Sequence, residues 1–442
     1  MGIGVFNAVS AKEYATVEDI ETGNKRSIQT SPLTNYNVTV FDQNLKNNSY
    51  VTLINTNVLR FGDDYDANVT GLVFELQNKA NSYSIQGNTA LSQKYFTEQT
   101  DLGHKASVSI RKTSGKFQGG VEYTEESDTY DPNDLGFLNN NNERSVEFWL
   151  EYMRFEPFGK FNRGGVGIWQ QYGRLYNPNV FTEYGINFWA WAQTKSFWNL
   201  NMFTYHEPIA AYDYFEPRVQ GRYYRQPTFN FFGVNINSDQ RKKLAFGFFG
   251  RFGKFNREGR HNFMYGIAPR YRVSDKLNFR LDIQNFIFKN DEGFVNTVST
   301  NNQTDVIFGI RDRNTLETTF NTNYNFSPTM ALTFRLRHYW ARVQYDSFKL
   351  LTEEGQLTDT DYDNFHDNNF NAFTIDMVYR WRFSPGSDLF IVWKNSIFNS
   401  DELSTIGYWK NLDNLWEAPQ TNSLSIKFIY YLDYQMVEKW GA

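Results

Sequence analysis

Residues 422–434 of the chain read NSLSIKFIYYLDY. Apolar or aromatic side chains occupy every second position from Leu424 to Tyr434, and the positions between them are mostly polar, with Ile429 and Tyr431 as exceptions. Successive side chains of a β-strand point to opposite faces of the sheet. The alternation therefore predicts a strand with one apolar and one polar face.

The same alternation recurs in four other segments, at residues 146–152, 277–284, 316–326 and 373–383. In the last of these, Phe373 and Trp381 lie on one side, whereas Asp376 and Arg380 lie on the other. A helix would instead group its apolar residues with a period near 3.6. The sequence therefore predicts an all-β protein.

The composition limits the functional classes. The 442 residues include 41 Phe, 28 Tyr and 11 Trp, and 44 Lys+Arg against 49 Asp+Glu give a net charge of −5. We therefore expect no nucleic-acid partner, because no basic excess is available to bind a phosphate backbone. The chain has no cysteine for a disulfide or a thiolate metal site. No run approaches the ~20 apolar residues of a membrane-spanning helix, but a membrane β-barrel gives a much weaker signal in each segment.

The connections between predicted strands alternate in length. Short polar turns are expected at 44–48, 113–116, 238–242, 274–276, 327–329 and 384–387, and long loops at roughly 126–143, 208–222, 289–313, 346–368 and 400–420. Short turns on one side and long loops on the other are typical of outer-membrane barrels. The sequence thus predicts a transmembrane antiparallel β-barrel of about 20 strands, an even number, with short periplasmic turns and long extracellular loops.

Residues 1–442 are expected to form this single barrel domain. The start, from Met1 to Phe6, already reads as strand and carries no signal-peptide pattern. An exported protein needs such a peptide, so we expect the chain to be a mature or internal portion of a longer protein.

Several motifs together resemble a known family. They are SPLTNYNV at 31–38, DYDANVT at 64–70, DPNDLGF at 131–137, RDRNT at 311–315, RHYW at 337–340, FSPGS at 383–387 and the closing strand at 422–434. They resemble the large outer-membrane barrel of a domain-of-unknown-function family in Gram-negative bacteria with SusC-type transport. In that family the barrel follows a signal peptide and a periplasmic domain similar to family-9 carbohydrate-binding modules, and neither is present in this chain. The resemblance implies a location in the outer membrane but no established activity, so no catalytic residue is assigned.

Charged residues on the polar sides of the strands are predicted to face the lumen. They are Arg280, Asp282, Asp376, Arg380, Arg382, Lys427 and Asp433. A barrel of about 20 strands is too wide for side chains alone to fill, so water or a folded-in loop is expected inside. Because both signs of charge are present, we expect pairing across the lumen and no strong ion selectivity.

Two groups of loop residues are candidate ligand-binding sites. The aromatic group consists of Tyr212, Tyr214, Phe215, Trp409 and Trp416, whose short polar neighbours suit stacking on sugars; packing between loops or contact with a protein partner would use the same residues. The acidic group, Asp359, Asp361 and Asp363, begins like a calcium loop. However, Asn364 and Phe370 replace the Gly and Glu that such a loop requires. A solvated acidic loop is preferred there, and we expect no metal and no cofactor.

The leading functional hypothesis is a non-enzymatic barrel of the outer membrane of a Gram-negative bacterium. It would act as a channel or as the barrel subunit of a larger assembly linked to glycan or polymer handling or to protein export. Its expected partners are outer-membrane lipid and lipopolysaccharide, other outer-membrane or surface proteins through the long loops, and glycans. The alternatives are a membrane-anchored glycan hydrolase or carbohydrate-binding protein that acts through its loops or a missing amino-terminal domain, and a soluble β-sandwich adhesin.

Overall fold

The computed structural model describes residues 1–300 and 303–432, and within these ranges it is almost entirely β-structure. The strands, in chain order, are β1 (Gly2–Ser10), β2 (Glu13–Glu18), β3 (Lys25–Ser31), β4 (Leu33–Asn44), β5 (Tyr50–Phe61), β6 (Asp66–Gln77), β7 (Tyr83–Tyr95), β8 (Thr100–Lys112), β9 (Phe117–Glu126), β10 (Glu143–Arg154), β11 (Phe161–Leu175), β12 (Phe181–Thr194), β13 (Asn199–Glu207), β14 (Ala211–Asp213), β15 (Tyr224–Gln226), β16 (Phe229–Asn237), β17 (Leu244–Phe255), β18 (His261–Arg272), β19 (Leu277–Thr300), β20 (Gln303–Ser327), β21 (Met330–Leu351), β22 (Leu357–Asp359), β23 (Asn368–Ser384), β24 (Ser387–Asp401) and β25 (Gln420–Ile429). The helix α1 spans Tyr408–Glu417. None of the helical structure in the described ranges has the length and apolarity needed to cross a membrane.

One antiparallel sheet contains 21 of these strands, and β2–β3 and β14–β15 form two separate ribbons. Within the large sheet, β22 has three residues and pairs with the last residues of β21. Without β22 the sheet has 20 strands, which agrees with the expected number. The all-β prediction is confirmed.

The chain divides into two compact units. The first comprises Met1–Phe155, Gly165–Phe188 and Glu207–Tyr212, and the second comprises Glu156–Gly164, Trp189–His206 and Asp213–Ala442. In the first unit each strand from β4 to β10 pairs with the next one along the chain. The strands from β16 to β21, and then β23 to β25, do the same in the second unit.

In the first unit, residues paired across neighbouring strands form rows that are either apolar or polar. One row on the aromatic face of this unit consists of Phe148, Val121, Ile110, Ile85 and Leu76. All five side chains are exposed, from Phe148 at 39% to Ile110 at 61%. The adjacent row points to the opposite, polar face and consists of Glu147, Glu122, Ser109, Gln86 and Glu75.

The second unit has the same two faces. Two rows on its aromatic face consist of Ile236, Phe248, Ile267, Ile283, Thr318, His338, Phe373 and Ile397, and of Tyr271, Phe279, Thr322, Phe334, Met377, Trp393 and Leu424. A row on its polar face consists of Arg280, Asn321, Arg335, Asp376, Lys394 and Ser423. Each row follows from period-two alternation once the register is set.

The predicted short turns all fall between paired strands, but three long loops differ from the prediction. Residues 289–313 were expected to be a loop and instead complete the hairpin of β19 and β20. Two β-bulges, after Phe288 and after Phe294, shift the register and break the alternation that marks a strand in the sequence. The predicted loops at 346–368 and 400–420 likewise contain the end of β21 and α1.

Candidate functional site

The charges predicted to face the lumen share the polar face of the second unit, apart from Asp433, which lies outside the described residues. Arg280, Asp282, Asp376, Arg380 and Arg382 pair with neighbours in the sheet, whereas the sequence predicted pairing across a lumen. Arg280 donates to Asp282 at 2.6 Å, and Asp388 accepts from Arg380 at 2.9 Å and lies 3.5 Å from Arg382. Residues two apart on one strand, or opposite or diagonal to each other on adjacent strands, are close enough for such pairs to form locally.

A recess opens on this polar face. Its floor contains the small residues Gly247, Gly266 and Ala268, and its volume is about 380 Å³. The Arg280–Asp282 pair lines it as well, together with the amides Asn235, Asn237 and Gln284 and the aromatic residues Phe248, Phe249 and Phe286. Amides beside aromatic rings could hold a small polar solute.

A row of amide side chains interrupts the aromatic face of the first unit. The cross-strand partners are Asn7, Asn37, Asn57, Asn68 and Gln93. These amides bond to one another and to neighbours in the same face: Asn68 donates to Gln93 at 3.2 Å, and Asn37 donates to Asn35 at 2.8 Å. Part of their hydrogen-bonding capacity is therefore met within the sheet.

The loop at 127–142 in the first unit is tied to the ends of neighbouring strands. Tyr130 is buried over Gly103, where an added Cβ would lie 2.3 Å from the Tyr130 backbone. Asp131 bonds to Lys94, and Asp134 bonds to Arg60. Burial alone would raise the pKa of Asp131, but the hydrogen bonds from Lys94 and the Asn133 N–H outweigh it and lower the pKa below its ordinary 3.8.

A second tied segment begins at Asp213, in the second unit. Tyr224 is buried against Val306, Phe308 and Leu351. Its hydroxyl donates to Glu292 and accepts from Arg260 at 2.9 Å. Burial raises the pKa of Tyr224 well above its ordinary value, so the hydroxyl keeps its proton.

Glu292 is the centre of that buried cluster. It accepts from Arg260 at 2.7 Å and from Arg257 at 2.8 Å, and its side chain is only 2% exposed. Asp291 beside it lies 2.7 Å from Arg313. The cluster holds the segment 213–226 against the outer part of the β19–β20 hairpin.

The predicted loop aromatics do not form one group. The Tyr214 ring packs 5.2 Å from Tyr223 in the second unit, and the Tyr212 ring packs 6.1 Å from Phe181 in the first. Phe215 is half-buried, and its backbone N–H donates to Asp213 at 2.9 Å. Trp409 and Trp416 lie on α1, with 76% and 47% of their surface exposed.

The helix α1 was missed by the sequence analysis. Its buried side carries Asn411 and Leu415. Leu415 packs with Phe373 and Ile397, whereas Asn411 exchanges hydrogen bonds with Asn371 at 2.7 and 2.9 Å. The recurrence of Tyr408, Asn411, Leu412 and Leu415 is a helical spacing that could have indicated it, although half of these residues carry polar groups.

The acidic candidate residues lie around an open cavity of about 480 Å³ beside Tyr345 and Phe348. Asp359 is engaged by Lys349 at 2.6 Å, and this contact lowers the pKa of Asp359. In residues 1–300 and 303–432 no group of three or more His, Asp or Glu side chains is arranged to hold a metal ion.

The chain belongs to the family described as "Domain of unknown function (DUF5916)", whose model matches residues 1–441. No curated protein matches the sequence. The assignment agrees with the resemblance to a family of unknown function, and the description names neither an activity nor a location.

Proposed function

We propose that the chain forms a closed transmembrane β-barrel in the outer membrane of a Gram-negative bacterium and has no enzymatic activity. It would serve as a channel or as the barrel subunit of a larger assembly. The observation that supports this most strongly is the exposed apolar row Phe148, Val121, Ile110, Ile85 and Leu76, with the polar row from Glu147 to Glu75 behind it. Large exposed apolar surfaces mark contact with a membrane or a protein partner.

The strand lengths support the membrane assignment. The strands β4, β5, β6 and β10 each contain 12 residues. At a rise of ~3.4 Å per residue and a tilt of ~45°, such a strand spans roughly 29 Å, close to the ~30 Å hydrocarbon thickness of a bilayer.

The polar face suits a hydrated lumen. Its charges are arranged in local pairs such as Arg280–Asp282 and Arg380–Asp388, so little net field would act on a passing ion. Twenty strands enclose more space than side chains alone can fill. A channel with weak ion selectivity is the activity that this arrangement favours.

The amide row of the first unit supports the role of an assembly subunit. Amides facing hydrocarbon are costly unless all their polar groups are bonded, and another membrane protein can supply the missing bonds. The link to glycans, polymers or protein export rests on the family resemblance and on the loop aromatics, and lipopolysaccharide and surface proteins are the expected loop partners.

The proposal is tested by purifying the protein in detergent and comparing its gel mobility before and after boiling. A closed barrel would migrate faster when unboiled, and conductance in a planar bilayer would then show large, steady openings. A silent but inserted barrel would restrict the proposal to the assembly subunit. Extraction from membranes without detergent would contradict it.

A further inference from the structure

We propose that α1 is an interfacial anchor that lies in the lipid headgroup layer at the extracellular rim of the aromatic face. The inference rests on the proposed membrane location and adds a specific lipid-contacting element to it. The helix contains ten residues, Tyr408–Glu417, and packs entirely within the second unit.

The helix is fixed to the aromatic face of the sheet. Leu415 is fully buried against Phe373 and Ile397, which are cross-strand partners on that face. The Tyr408 ring lies 5.6 Å from Trp340, and the Trp416 ring lies 4.8 Å from Phe373. The helix thus lies on the side of the sheet that the proposal assigns to lipid.

The position of α1 along β23 gives the depth of the helix in the membrane. Trp381 and Phe383 lie beside the short turn that ends β23, where Phe383 stacks 5.1 Å from Phe428. Asn371, under the helix, lies ten residues from Trp381 on the same strand. At a rise of ~3.4 Å and a tilt of ~40°, that distance is roughly 26 Å along the membrane normal, the full height of a ~25 Å apolar band.

The contacts under α1 show which polar groups of the aromatic face the helix buries. Asn369 and Asn371 lie on the aromatic face and are fully buried by α1. Both donate to Asn411, at 3.0 and 2.9 Å, and Asn369 accepts from Trp340 at 2.6 Å. Without α1 these amides would lie at the edge of the apolar band with hydrogen bonds unmade, which is unfavourable.

The outer surface of the helix has the chemistry of the headgroup layer. Trp409 and Trp416 are seven residues apart, so they lie on the same flank of the helix two turns apart; Trp409 is 76% exposed, and Trp416 packs on Phe373 with 47% of its surface still exposed. Lys410, Asp413 and Glu417 are exposed as well. Tryptophan rings beside charges favour the membrane–water interface over either hydrocarbon or bulk water.

The absence of native cysteine allows a direct measurement of depth. Single variants Trp409→Cys, Met377→Cys and Val378→Cys would carry a nitroxide label in vesicles of phosphatidylethanolamine and phosphatidylglycerol. Accessibility to oxygen and to a water-soluble nickel chelate would be recorded, with Phe137→Cys, at an 83% exposed position, as the water reference. Met377 and Val378 point to the aromatic and polar faces in the middle of β23.

We expect the label at 377 to favour oxygen, the label at 378 to favour the nickel chelate, and the label at 409 to lie between them at headgroup depth. A label at 409 that is as accessible to nickel as the label at 137, or as deep as the label at 377, would overturn the anchor. Equal behaviour at 377 and 378 would instead refute the membrane location itself.

A sugar platform is the competing use of these rings. The Trp409→Cys label would therefore also be measured on detergent-solubilised protein with and without dextran. Unchanged label motion supports the anchor. Slowed motion with dextran, together with a water-like signal in vesicles, would overturn it in favour of glycan binding.

Discussion

At the scale of single residues, Glu292 is the position in the buried cluster where we expect a substitution to reduce stability most. Glu292→Gln would leave Arg257 without its counter-charge and Arg260 with only Asp291, at 3.9 Å, and we expect it to cost about 3–5 kcal/mol of unfolding free energy. Tyr224→Phe removes one hydroxyl but keeps the ion pairs, and we expect about 1–2 kcal/mol. Reversible denaturant unfolding in lipid vesicles measures both; equal losses would contradict the central role of Glu292.

Gly103 is the residue on which packing of the 127–142 loop depends. Gly103→Ala would place a methyl group 2.3 Å from the Tyr130 backbone, so we expect the loop to be displaced at a cost of about 1–3 kcal/mol. Gly71→Ala is the control, because its Cβ would have its nearest neighbour at 3.5 Å. Protease cleavage within 127–142 should rise in the first variant alone. Equal cleavage in both would show that close approach is not what fixes the loop.

The same loop should respond to acid through Asp131. Its pKa is lowered in the folded state, so its contribution is present above its ordinary value and is lost as the pH falls through the lowered pKa. We expect a nitroxide at Phe137→Cys to become more mobile below about pH 4. Addition of Asp131→Asn should make the label mobile already at neutral pH and weaken this dependence. An unchanged pH profile in the double variant would contradict the assignment to Asp131.

At the scale of elements, regular strands were predictable and irregular ones were not. Segments such as 277–284 and 373–383 keep strict alternation, and both lie within strands of the observed sheet. Residues 289–313 were misjudged because the bulges in the β19–β20 hairpin shift the pattern by one position. α1 was missed because its spacing is set by distant partners: Asn411 bonds to Asn371 of β23, and the Tyr408 ring packs on Trp340 of β21. Such long-range partners are not visible in the local sequence.

The candidate sites followed the same rule. The sequence alternation alone was enough to predict that Arg280, Asp376 and Arg380 lie on the polar face of their strands. The local pairing of these charges depends on the register between strands, and the buried contacts of Glu292 and Tyr224 depend on where the loops lie. Neither could be predicted from the sequence pattern.

Within β23 the two faces should tolerate charge differently. Met377→Arg places a charge on the aromatic face near mid-strand, and we expect a cost of about 2–4 kcal/mol if that face meets lipid. Val378→Arg, on the polar face, is the matched control and should cost far less. Denaturant unfolding in vesicles gives the comparison, and similar losses for the two variants would argue against a lipid-facing side.

At the scale of the whole molecule, the two faces of the sheet have different roles. In the proposed barrel the exposed aromatic side meets lipid and the paired charges line water. The 21-strand sheet and the strand lengths are consistent with this arrangement.

The most direct test is a cysteine scan across one row of each face in the first unit, independent of α1. Labels at Phe148, Val121, Ile110 and Ile85 would be compared with labels at Glu147, Glu122, Ser109 and Gln86 in vesicles. The account predicts high oxygen and low nickel-chelate accessibility for the first set and the reverse for the second. Equal water accessibility of the two sets would contradict a membrane-spanning barrel.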